Sequence, residues 1–146
     1  MSKSFIVALL LSLVAPAFAG PHLDAANQCL ADSTTGKDRK VFARWLFIAM
    51  AAHPEIRDTS AVTKETSDAS SHDTGRLVTR LLTENCANEM KALVRNEGQQ
   101  ALPQTFQILG QLAMQELMAN KEVSTSISGF QQYVDTKKIT EVLEAK

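Results

Sequence analysis

The chain has 146 residues, with 15 Lys and Arg against 16 Asp and Glu and a formal net charge of −1. That balance argues against nucleic-acid recognition, which needs a basic surface. The length fits one domain with a core large enough to fold alone.

The first residues address the compartment. Lys3 precedes the apolar run "FIVALLLSLV", Pro16 breaks that run, and Ala17-Phe18-Ala19 gives a small-x-small pattern. These are the parts of a secretory signal peptide over residues 1–19, cleaved after Ala19. The run of about ten residues falls short of the ~20 that a spanning helix needs. No Cys follows the cleavage site, which argues against a lipid anchor. Losing Lys3 leaves 14 cations against 16 anions, a net charge of −2. The nearest later apolar segment, 41–52, is interrupted by Arg44. The expectation is a periplasmic protein, residues 20–146, with no membrane insertion after processing. In that compartment the two cysteines, Cys29 and Cys86, should form one disulfide.

Strand signals are nearly absent, and the apolar spacing is helical almost throughout. A first helix is predicted over 22–31, then a turn over 32–36. A second helix follows over 37–52, with Val41, Trp45, Ile48, Ala49 and Ala52 on one face. Its wide apolar circumference suggests a buried position and makes Trp45 a core anchor, with Arg44 beside it as a cation with a buried stem. His53-Pro54 ends it. The polar stretch 57–73, rich in Ser, Thr and Asp, reads as a mobile loop with a short turn near Ile56. Helices resume at Thr74 with Leu77, Val78, Leu81, Leu82 and Cys86, break near Asn85, and continue through Met90, Leu93 and Val94 to Gly98. Pro103 suits the first turn of the next helix. Phe106, as a second core anchor, leads Leu109, Ala113 and Leu117 along it, and Met114 and Met118 read as core packing. Val123, Ile127, Phe130 and Val134 mark another helix. Asp135 or Thr136 caps a last short one with Ile139, Val142 and Leu143 inside. The fold expected is all-α: a single compact bundle of five to seven helices with one disulfide.

The stretch "STTGKDRK", 33–40, superficially resembles a phosphate-binding loop. That loop requires G-x-x-x-x-G-K-[ST] after a strand. Here Ala31 replaces the first Gly, Asp38 follows Lys37, and the preceding segment is helical. The stretch reads instead as a helix entrance, with hydroxyl caps and Asp38 in the first turn. Lys37, Arg39 and Lys40 sit where the helix dipole disfavours cations. They should answer to acids elsewhere in the fold or to a partner, so Lys37, Asp38, Arg39 and Lys40 form the candidate partner surface.

No catalytic motif is present: neither H-E-x-x-H nor G-x-S-x-G. His53 with Glu55, and His72 with Asp73, are too few ligands for a tetrahedral metal site and read as loop residues. Without C-x-x-C-H for covalent haem, no cofactor is expected.

The run from Cys29 to Ile56, with "STTGKDRK" and "RWLFIAMAAHPEI", and the later "LLTENC" resemble a family of small exported helical proteins of Gram-negative bacteria that has no assigned activity. In general character the chain is also similar to immunity proteins that guard the periplasm against secreted cell-wall amidases, a likeness at the level of fold. Together these imply a non-catalytic periplasmic module that binds another protein, with an inhibitor or immunity role. The alternative is a carrier of a small apolar ligand between helices, around Phe106, Met114 and Trp45.

Overall fold

The computed structural model describes residues 20–145. The expected signal segment and its cleavage after Ala19 lie outside them. Among the described residues there are eight α-helices and no strand.

Helix α1 (Pro21–Ser33) opens on proline, whose fixed φ suits a first helical turn. Its free N–H groups are met from across the fold. Glu97 Oε1 accepts from His22 N–H at 3.0 Å and from Leu23 N–H at 3.2 Å. Gly20 sits so close to this carboxylate that any side chain there would collide with it. Leu23, Ala26 and Leu30 make up the buried stripe of α1.

Helix α2 (Gly36–Met50) follows after Thr34 and Thr35, and the four-residue α3 (Pro54–Arg57) is capped by His53. Helix α4 (Lys64–Arg80) runs into a π-helical turn, Leu81–Asn85. That turn delivers Cys86 to the start of α5 (Ala87–Glu97). Cys86 bonds to Cys29 on α1, with the Cα atoms 5.9 Å apart. Gly98, at φ +84°, turns the chain where a side chain would be strained. A 3-10 turn (Gln99–Ala101) then leads into α6 (Leu102–Met118). Helix α7 (Lys121–Ser128) is capped by Asn120 and followed by a 3-10 turn, Gly129–Tyr133. Helix α8 (Thr136–Glu144) is capped by Asp135.

The core lies among α1, α2, α4, α5 and α6, with Leu30, Leu81, Leu93 and Leu109 fully enclosed. Helix α2 packs on α4 and α6, and α1 packs on α5 and α6. No helix among the described residues is long and apolar enough to cross a membrane.

The structure corrects the sequence reading in five places. Among the described residues the α-helices number eight, not five to seven, because α3 forms a helical turn of its own. The polar stretch 57–73 is helical from Lys64 onward. Thr63 caps that start by accepting from Thr66 N–H at 3.2 Å. Lys64 pairs with Asp68, and Asp73 with Arg76, along the helix surface. Small Ser70 and Thr74 face inward, so this helix buries hydroxyl residues where a periodic apolar stripe was sought. Phe106 is not a core anchor. The inner face of α6 is Thr105, Leu109 and Ala113, and Phe106 lies off it, 46% exposed, with Met114 and Met118 also outside. Trp45 is only half-buried and stands outside the core, because α2 buries Phe42, Ala43 and Ile48. Ile139, Val142 and Leu143 are exposed too, since α8 buries no residue.

Candidate functional site: a cationic ridge on α2

The first turn of α2 is a reciprocal cap. Asp38 N–H donates to Thr35 Oγ1 at 3.2 Å, and the Asp38 carboxylate accepts from Thr35 N–H at 3.0 Å and from its hydroxyl at 2.7 Å. Thr34 is buried and donates its hydroxyl to the Leu30 carbonyl at 2.6 Å, closing the end of α1. Both threonine hydroxyls are therefore engaged in joining two helices, in agreement with the helix-entrance reading.

The four residues expected to form a partner surface separate into two pairs. Asp38 and Arg39 turn into the fold. Asp38 Oδ1 lies 2.9 Å from Arg80 Nη2 on α4. Burial raises the Asp38 pKa, but hydrogen bonds from Thr35 and Arg80 outweigh it, and the net effect lies below the usual carboxylate value. Arg39 donates to the Thr34 carbonyl at 3.1 Å and approaches Glu116 of α6 at 3.5 Å. These two residues tie α2 to both of its neighbours.

Lys37 and Lys40 turn outward, and Arg44 joins them one turn on. The spacing i, i+3, i+7 puts all three on one face of the helix. Among the described residues none of the three has a carboxylate within salt-bridge distance, unlike Arg39. Lys40 and Arg44 stand on a ridge between two clefts. On one side a cleft of about 530 Å³ is lined by Lys37, Lys40 and Arg44 from α2 and by Glu65, Ser70 and Asp73 from α4. On the other a groove of about 390 Å³ has Ala43, Phe47, Leu117 and Val123 as its apolar lining. Glu65 lies in the first turn of α4. Its own backbone N–H and the Thr63 hydroxyl hold its carboxyl below the usual value, so this wall is anionic.

Arg44 was not part of the surface expected from sequence. Its signal was available in the seven-residue spacing from Lys37, but its place beside Trp45 suggested a cation with a buried stem. Phe106 and Met114 face solvent, so they do not enclose a ligand space with Trp45. His53 Nδ1 accepts from Glu55 N–H at 3.2 Å, and His72 Nδ1 lies 2.9 Å from Arg76 Nη1. Among the described residues no three potential metal ligands come together.

Comparison with family models, curated proteins and solved structures finds no match to this chain.

Proposed function

We propose that this is a non-catalytic periplasmic module that binds another protein, in an inhibitor or immunity role. The partner presents acidic side chains to Lys37, Lys40 and Arg44, and an apolar anchor to the groove beside them. The observation carrying this reading is the set of three cations on one face of α2, without carboxylate partners among the described residues, bordering two clefts. Exposed charges raise association rates and select partners of opposite sign. The adjoining apolar lining supplies the desolvated anchor that such contacts need for affinity. The disulfide is compatible with an oxidising compartment, which supports the periplasmic setting.

The test is affinity capture from periplasmic extract on residues 20–146, paired with the triple variant Lys37→Ala, Lys40→Ala, Arg44→Ala. The expected result is a protein retained by the native surface and lost from the variant. Identical capture by both would refute the reading.

A further inference from the structure

We propose that the cleft between α2 and α4 receives a peptide segment carrying an acidic and a basic side chain together. The acidic one meets Lys37, Lys40 and Arg44, and the basic one meets Glu65, beside the Asp73–Arg76 pair. This rests on the protein-binding reading above and narrows the chemistry of the partner.

Two walls of opposite sign line the cleft without meeting. Three cations on α2 and two carboxylates on α4 line the same cleft. Yet among the described residues no ion pair crosses it. One of these carboxylates, Asp73, already reaches Arg76 on its own helix at 2.6 Å, and outside the cleft Arg80 reaches Asp38 between helices at 2.9 Å, which leaves Glu65 as the open carboxylate. The three cations and the Glu65 carboxylate thus line one cleft without pairing across it. A wholly acidic segment would gain from α2 and be repelled by α4, and a wholly basic one would meet the reverse. Only a segment of mixed sign is attracted by both walls. Its volume, about 530 Å³, falls within the ~300–1,000 Å³ typical of binding clefts. Ser70, 8% exposed, also lines it and brings a hydroxyl that can donate to or accept from a bound backbone.

Three doubly capped tripeptides test this by amide NMR titration of residues 20–146: Glu-Ala-Lys, Glu-Ala-Glu and Lys-Ala-Lys. The mixed peptide should shift resonances in the first halves of α2 and α4 and bind about tenfold or more tightly than either other peptide. Glu65→Gln, at an exposed site, gives the decisive sign. It should weaken the mixed peptide while leaving the diacidic one unchanged or tighter. A diacidic peptide that binds best, a mixed peptide indifferent to Glu65→Gln, or no shifts at millimolar peptide would overturn the proposal. A protein partner lost from the Lys37, Lys40, Arg44 variant but fully retained by Glu65→Gln would remove this inference and leave the protein-binding reading standing.

Discussion

Asp38 on α2 and Arg80 at the end of α4 meet at 2.9 Å, and the same carboxylate closes the cap at Thr35. One side chain thus fixes both the start of a helix and its crossing with a neighbour. Asp38→Asn should cost about 1–2 kcal/mol, mostly from the weakened cap, because the partly exposed ion pair contributes under ~1 kcal/mol. A lowered urea midpoint with unchanged slope is the expected readout.

The pH dependence of that contribution has a definite sign. The folded pKa of Asp38 is depressed, so its stabilisation is full above the unfolded value of ~3.9 and is lost as pH falls through the lower folded value. Acid unfolding of the Asp38→Asn protein should therefore start from lower stability and show a shallower loss below about pH 4. An acid limb parallel to that of the native protein would contradict this.

On α6, Leu109 and Phe106 test the placement of the core. Leu109 is fully enclosed, and Leu109→Ala should cost about 2–5 kcal/mol. Phe106 is exposed, so Phe106→Ala should cost about 1 kcal/mol or less. Chemical denaturation of the two variants in parallel would show the contrast.

The Cys29–Cys86 bond joins α1 to the turn before α5 across a separation of 57 residues. Reduction should destabilise the fold by about 4 kcal/mol by chain-entropy reasoning. Denaturation with and without reductant measures it, and thiol titration of the unreduced protein should find both cysteines blocked.

Much of this fold was legible from helical spacing, and the exceptions have physical causes. Periodicity gave the helices around Leu77, Leu93 and Leu109, and Gly98 and Asp135 marked a stop and a start. The same periodicity placed Phe106, Met114, Ile139 and Leu143 inside, because an apolar stripe identifies a face without saying what covers it. Residues 64–73 of α4 were missed because the one buried residue among them is Ser70. Small hydroxyl side chains allow close helix approach yet leave no apolar signature. At the candidate site, the Thr35-to-Asp38 spacing made the cap readable. The contacts of Asp38 with Arg80 and of Arg39 with Glu116 depend on residues 42 and 77 positions away, beyond the reach of local pattern.

The claim that Lys37, Lys40 and Arg44 form the recognition surface is tested most directly by the salt dependence of the captured complex. The dissociation constant of the native protein should rise with ionic strength. The triple alanine variant should bind about tenfold or more weakly at low salt and show a flatter dependence, with its unfolding midpoint little changed. Equal affinity and equal salt dependence in the two proteins would contradict the account.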